Sequence, residues 1–115
     1  MTMIVLRDVQ KDGNYYHLEA VLEQGKLTIQ GHDIGRTVEK FWGEDEYEYW
    51  YEFDQGNTEH LFKTILADTV SDISDMSEDE LLRSFQIWIG KKPDEARLRK
   101  LCEETGIKYQ FFSYS

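Results

Sequence analysis

Residues 43–54 read GEDEYEYWYEFD, and this stretch decides the fold because aromatic and acidic residues alternate along it. Alternation with a period of two is typical of a β-strand whose two faces differ. One side carries aromatic rings that can build a core, namely Tyr47, Tyr49, Tyr51 and Phe53. The other side carries carboxylates around one indole, namely Glu46, Glu48, Trp50, Glu52 and Asp54. We therefore expect one strand of a sheet that has a single apolar face.

Three earlier strands are predicted from shorter alternating segments. The first covers Ile4–Val9 and leads into Lys11–Asn14, a turn whose residues tolerate positive φ. The second covers Tyr15–Leu22, with Leu and Ala on one face, and ends at a second tight turn, Glu23–Lys26. The third covers Leu27–Gln30. Because the turns are short, these strands should form an antiparallel meander.

Helical patterns come mostly after the acidic and aromatic strand. A helix capped by Asn57 is predicted from apolar residues spaced near 3.6, which are Leu61, Phe62, Ile65 and Leu66. A shorter helix is predicted between the third strand and residue 43, with Asp33 as its N-terminal cap and Gly43 at its end.

Two further helices and a last strand are predicted towards the end of the chain. Ser77 and Glu80 have the spacing of a capping box before a second apolar stripe, which is Leu81, Leu82, Phe85, Trp88 and Ile89. The next helix has Pro93 in its first turn, buries Cys102, and ends at Gly106. Residues 108–114 alternate again and should return to the sheet as a strand.

These elements predict an α+β fold for a single domain of residues 1–115. Strands concentrated before helices favour an antiparallel sheet of about four to five strands, with three main helices packed on one face. A chain of 115 residues is long enough to bury one core. The pattern leaves the order of the strands in the sheet open.

The charge of the chain limits its partners. The sequence has 23 acidic against 13 basic side chains, a net charge of −10. Such a field repels phosphate backbones and anionic lipids, so we expect neither nucleic acid nor a membrane as partner. The same field attracts a basic protein, although acidity also simply keeps proteins dispersed. With Cys102 as the one cysteine and no basic leader or long apolar run, we expect a cytoplasmic location.

Four short motifs together carry a resemblance to a group of proteins. They are LTIQGHDIG at residues 27–35, FWG at 41–43, DEYEYWY at 45–51 and GIKYQFFS at 106–113. In this combination the chain resembles a group of small bacterial proteins that share a Gly-Gln-Asp-Leu-Gly turn and have no assigned activity. Here His32 stands in place of the Gln, and Ile34 in place of the Leu. The resemblance implies a bacterial, cytoplasmic protein whose acidic and aromatic strand belongs to a recurring fold, and it transfers no catalytic residue.

No residue pattern predicts catalysis, a cofactor or a metal. His17, His32 and His60 lie in different predicted elements and outside any catalytic motif. Cys102 shares an apolar helical stripe, which favours burial over nucleophilic chemistry. The acidic residues between Asp68 and Glu80 have neither the spacing nor the glycine of a calcium loop. The sequence therefore favours a binding protein over an enzyme.

The acidic side of residues 46–54 has three interpretations. Its carboxylates can simply solvate the outer side of a half-buried strand, with Trp50 covering a neighbour. They can instead form a site for a basic partner, with the indole as an anchor, in the manner of acidic antitoxin or immunity proteins. A third hypothesis is a ligand-binding or enzymatic pocket between sheet and helices, built from Tyr hydroxyls and one carboxylate. A homodimer stays open, but nothing in the sequence indicates one.

Overall fold

The computed structural model describes residues 1–35 and 46–114. In this part of the chain the sheet consists of β1 (Thr2–Lys11), β2 (Asn14–Glu23), β3 (Lys26–Gly35), β4 (Glu46–Glu52) and β5 (Gln110–Tyr114). The helices are α1 (Gln55–Ile65), α2 (Glu78–Ile89) and α3 (Glu95–Thr105). All neighbouring strands are antiparallel, in the order β1-β2-β3-β4-β5. The predicted α+β fold is confirmed, and the terminal strand lies at the sheet edge beside β4.

Two tight turns fix the register of the meander. Asp12 and Gly13 have φ of 53° and 79°, and Gln24 and Gly25 have φ of 52° and 76°. Two successive residues with positive φ form the hairpin turn whose twist matches that of paired strands. Residues equally distant from the Gln24–Gly25 turn are therefore partners across β2 and β3.

A β-bulge interrupts β1 between Val5 and Arg7. Leu6 is the extra residue, and beyond it Arg7 pairs with Leu18, which faces the helices. Because a bulge shifts the alternation by one residue, Leu6 and Arg7 face the same side of the sheet. Asp8 is turned to the opposite side.

The core lies between one face of the sheet and the helices. Strand residues buried there include Leu18, Leu22, Leu27, Ile29, Tyr49 and Tyr51. Helix residues in the same cluster include Leu61, Phe62, Leu82, Phe85, Leu98 and Cys102. The aromatic side of the acidic strand faces this core as predicted, because only that side can be removed from water without burying carboxylates.

Three predicted helix starts need correction. Asp54, not Asn57, is the N-cap of α1, since its Oδ1 accepts from the backbone N of Asn57 at 2.8 Å. Asp94 caps α3, so Pro93 precedes that helix instead of occupying its first turn. Asp33 lies in β3 opposite Tyr47 and caps no helix. Residues 36–43 of the predicted short helix lie outside the described residues.

Other predicted helix ends are confirmed. Ser77 and Glu80 form the capping box of α2 through two hydrogen bonds of 3.1 Å. Gly106 ends α3 in the left-handed conformation at φ 74°. Ile107 then folds back, and its backbone N donates to the carbonyl of Cys102 at 3.0 Å. Within residues 1–35 and 46–114, the helices lack the length and apolar character that crossing a membrane requires.

Candidate functional site

The face of the sheet opposite the helices, here called the outer face, gathers side chains from all five strands. One row across it contains Val5, Glu19, Gln30, Trp50 and Phe112. The next row contains Asp8, His17, His32, Glu48 and Tyr114. No described helix covers this face, because the helices pack on the other one.

Four of the five predicted partner-binding residues lie on the outer face. Glu46 and Glu52 are exposed, and Glu48 and Trp50 are partly exposed. Trp50 sits between Gln30 on β3 and Phe112 on β5. The indole is therefore accessible and has an aromatic neighbour of which 46% is exposed.

Asp54, the fifth predicted residue, has a different position. It follows the end of β4, and its carboxylate accepts hydrogen bonds from the backbone N and the side-chain N of Asn57, at 2.8 and 3.0 Å. These hydrogen bonds lower the pKa of Asp54, because they stabilise its charged form. Asp54 therefore caps α1 at the edge of the outer face, and its carboxylate is occupied by hydrogen bonds to that helix.

The outer face is strongly acidic within the described residues. Its carboxylates are Asp8, Glu19, Glu23, Glu46, Glu48 and Glu52. The single lysine among these strand positions is Lys26, which pairs with Glu23. Carboxylates on neighbouring positions of a sheet repel one another and create a field that attracts cations.

Two histidines lie side by side at the centre of the acidic surface. His17 and His32 are direct cross-strand partners. Nε2 of His32 is 3.7 Å from Oε1 of both Glu46 and Glu48. Nε2 of His17 is 3.7 Å from Oε1 of Glu19. The sequence analysis considered each histidine separately. Because His17 and His32 are the same number of residues from the Gln24–Gly25 turn, the hairpin pattern predicts that they pair.

The histidine pair does not form a ready metal site. Within the part of the chain that the structure describes, no three His, Cys, Asp or Glu side chains converge in a way that would hold a metal ion. The distances from His32 to its carboxylate neighbours also exceed hydrogen-bonding range. The pair therefore contributes polar surface to the outer face.

One open groove lies on the outer face and another lies at its border, beside the start of α1. The first, of about 560 Å³, runs over β1 to β3 and is lined by residues that include Met3, Val21 and Gln30. The second, of about 370 Å³, lies at the end of β4 between Thr28, Glu52 and Lys108. Both combine polar and apolar lining, as protein-contact surfaces do.

A second polar cluster lies on the helix side of the sheet and is called the Glu95 cluster. Oε2 of Glu95 accepts the hydroxyl of Tyr49 at 3.0 Å and Nη2 of Arg7 at 3.2 Å. Oε1 accepts the hydroxyl of Tyr51 at 2.9 Å, and Nη1 of Arg99 donates to the same hydroxyl at 2.8 Å. Residues from β1, β4 and α3 thus meet at one carboxylate.

The Glu95 cluster keeps both phenols protonated. Burial raises the pKa of Tyr49 and Tyr51 far above the ordinary value, and the negative charge of Glu95 raises it further. Each hydroxyl therefore acts as a hydrogen-bond donor to Glu95. The sequence analysis named Tyr hydroxyls with one carboxylate between sheet and helices, but it identified neither Glu95 nor Arg7. The bulge that turns Arg7 towards α3 has no evident signature in residues 4–9.

Asp33 lies near the Glu95 cluster, but its Oδ1 makes no hydrogen bond to it. Its Oδ1 and the Nε of Arg7 are both buried atoms that lack a hydrogen-bond partner among the described residues. Burial raises the pKa of Asp33, while the positive charge of Arg7 opposes that rise. Asp33 Oδ1 could therefore accept, and Arg7 Nε could donate, a hydrogen bond to a small polar group on the helix side of β3.

The remaining candidate residues have structural surroundings. Cys102 is buried in the core as predicted, and burial raises the pKa of its thiol to about 11. His60 is exposed on α1. In the acidic loop, Oδ1 of Asp72 accepts the backbone N of Ser74 at 2.9 Å, which is a local turn contact.

Comparison of the chain with protein-family models, with curated proteins and with solved structures gives no significant match.

Proposed function

We propose that the protein is a small cytoplasmic interaction module whose outer face binds a basic protein and so masks it. The observation that carries this proposal is the outer face itself, where a partly exposed Trp50 lies among six carboxylates and one lysine. An aromatic anchor within a charged surface is the usual arrangement of a protein contact site. The same field disfavours nucleic acid and anionic membranes as partners.

The aromatic part of the surface supplies the contact area that charge alone lacks. Trp50 and Phe112 are cross-strand neighbours, and Tyr114 lies beside Glu48 with 70% of its surface exposed. Arginine and lysine side chains of a partner can pair with carboxylates and also stack on such rings. A basic partner would therefore gain from both properties of the outer face.

The proposal is tested by capture with matched variants. The double variant Trp50→Ala/Glu48→Gln removes the aromatic anchor and one negative charge from the outer face. The control Glu103→Gln also removes one negative charge, but from the exposed side of α3. Immobilised wild type and the Glu103→Gln variant should capture the same basic protein from a native lysate. The double variant should retain less than about a tenth of it, which corresponds to at least ~1.4 kcal/mol of binding free energy.

Circular dichroism and the thermal midpoint show whether the double variant keeps its fold. Equal capture by a folded Trp50→Ala/Glu48→Gln variant would contradict the proposal. Equal loss in the Glu103→Gln variant would show that net charge, and not the outer face, governs the association.

A second candidate function is a small-ligand site on the helix side, and one observation favours it. Asp33 Oδ1 and Arg7 Nε are buried without hydrogen-bond partners among residues 1–35 and 46–114, beside two tyrosine hydroxyls that share Glu95. A polar ligand bound there would raise the thermal midpoint of the wild type and leave that of Asp33→Asn unchanged. Capture of the basic protein would be the same for both.

A further inference from the structure

Among the described residues, β5 has a strand partner on one side only, and the register of the sheet identifies the backbone groups on its other side. The backbone N of Phe53 donates to the carbonyl of Leu27 at 2.9 Å, which places the backbone groups of residue 53 towards β3. Because these directions alternate along a strand, Glu52, Trp50 and Glu48 direct their groups towards β5. Their partners on β5 are, in order, Gln110, Phe112 and Tyr114.

The other two residues of this part of β5 therefore point outward. Phe111 and Ser113 direct their backbone N–H and C=O groups away from β4. Among the described residues, no backbone hydrogen bond reaches these four groups. They form a short template for one more strand.

The two edges of the sheet are treated differently. Edge strand β1 is protected by its bulge and by α2, from which Nε2 of Gln86 donates to the carbonyl of Val5 at 3.0 Å. Edge strand β5 lacks three of the usual protecting devices within residues 110–114, which contain no charge, no proline and no bulge. All five of its residues are exposed.

We propose that β5 accepts an extended segment of the basic partner as a sixth strand of the sheet. This inference rests on the proposed function and specifies how the partner binds. Alternate side chains of such a segment would lie on the outer face beside Phe112 and Tyr114. The carboxylates of Glu48 and Glu52 lie two strand spacings away, about 10 Å, which a long lysine or arginine side chain can span. Strand addition takes its affinity from main-chain hydrogen bonds and its specificity from alternate side chains.

The surroundings of the edge define the sequence of the added segment. On the outer face, lysine or arginine would meet carboxylates and exposed rings. On the helix side, an apolar residue would cover Phe111, which is 49% exposed and whose ring centroid lies 5.0 Å from that of Tyr51. Pairing with a second copy is disfavoured, because it would bring together two chains of net charge −10.

Amide hydrogen exchange tests this geometry directly. The probe is a short fluorescein-labelled peptide that alternates lysine with valine. On adding it to the wild type, the amide protons of Phe111 and Ser113 should exchange at least about tenfold more slowly. The amide protons of Phe112 and Tyr114 already face β4, so their exchange should change much less.

A proline substitution provides the matched variant. Ser113→Pro removes an outward N–H and retains the hydrogen bonds between β4 and β5, whereas Ser113→Ala retains that N–H. The affinity for the peptide, measured by fluorescence anisotropy, should fall by about tenfold or more in Ser113→Pro and stay unchanged in Ser113→Ala. If Ser113→Pro loses its strand pairing, the exchange measurement on the wild type decides alone.

The outcomes separate this inference from the proposed function. Peptide binding that is lost in Trp50→Ala/Glu48→Gln but kept in Ser113→Pro, with fast exchange at Phe111 and Ser113, would overturn strand addition and leave the outer face as the site. Failure of the peptide to bind at low ionic strength would overturn strand addition as well. Slow exchange of both amides without peptide, together with a doubled mass in light scattering, would show that a second copy occupies the edge.

Discussion

Gly31 shows how one residue positions the polar chemistry of the helix side. It is buried on β3 directly opposite Tyr49, and the ring of Tyr49 lies over it. A Cβ at this position would be 2.0 Å from Cζ of that ring, which is impossible without displacing it. Glycine therefore lets the ring lean across the sheet, where its hydroxyl reaches Glu95.

We predict that Gly31→Ala destabilises the protein by about 2 to 3 kcal/mol, because the Tyr49 ring must leave its place. Urea unfolding measures this change. Gly56→Ala is the control, since its Cβ would meet only Asp54 Oδ1 at 3.7 Å inside α1, and it should stabilise by up to about 1 kcal/mol. A Gly31→Ala variant as stable as the wild type would contradict the placement of the ring.

At the scale of elements, the Glu95 cluster fastens the start of α3 to the sheet. Arg7 and Glu95 have 25% and 19% of their side chains exposed, so solvent screens the pair only in part. Two tyrosine hydroxyls add hydrogen bonds to the same carboxylate. Removing its charge would leave several buried donors without a full partner.

We therefore predict that Glu95→Gln lowers the free energy of unfolding by about 2 to 3 kcal/mol. Glu104→Gln is a matched control on the same helix, because Glu104 is 60% exposed and 3.9 Å from Lys100, and it should change stability by less than about 0.5 kcal/mol. Chemical denaturation monitored by tryptophan fluorescence measures both. Similar small changes in the two variants would show that the cluster does not hold α3.

The elements were predictable from sequence wherever one local pattern determined them. The period of two over residues 46–53, the two hairpin turns and the Ser77 capping box each have a local cause, and the structure confirms them. Asp54 was misplaced because it continues the alternation while serving as a helix cap. Arg7 was missed because a bulge, which depends on tertiary packing, reverses which side it faces.

At the scale of the whole molecule, the fold separates its apolar and charged surfaces. The helices cover one face of the sheet, and the outer face brings six carboxylates together. The sequence predicted both surfaces from a single strand, but the order β1-β2-β3-β4-β5 brings His17, His32, Trp50 and Phe112 together. These long-range neighbours depend on the pairing register between strands, and the sequence pattern of one strand does not determine that register.

This separation predicts opposite effects of salt on folding and on binding. Raising NaCl from about 0.01 M to about 1 M shortens the screening length from about 30 Å to about 3 Å. Screening relieves repulsion within a chain of net charge −10, so the thermal midpoint should rise by about 2 to 5 °C, while capture of the basic protein should weaken. Calorimetry on the wild type and on Glu46→Gln/Glu48→Gln/Glu52→Gln checks this. Because three repelling carboxylates are gone, the thermal midpoint of the triple variant should be higher than that of the wild type at low salt and should rise less when salt is added. An equal rise of the midpoint in both proteins would show that the repulsion lies outside these three carboxylates.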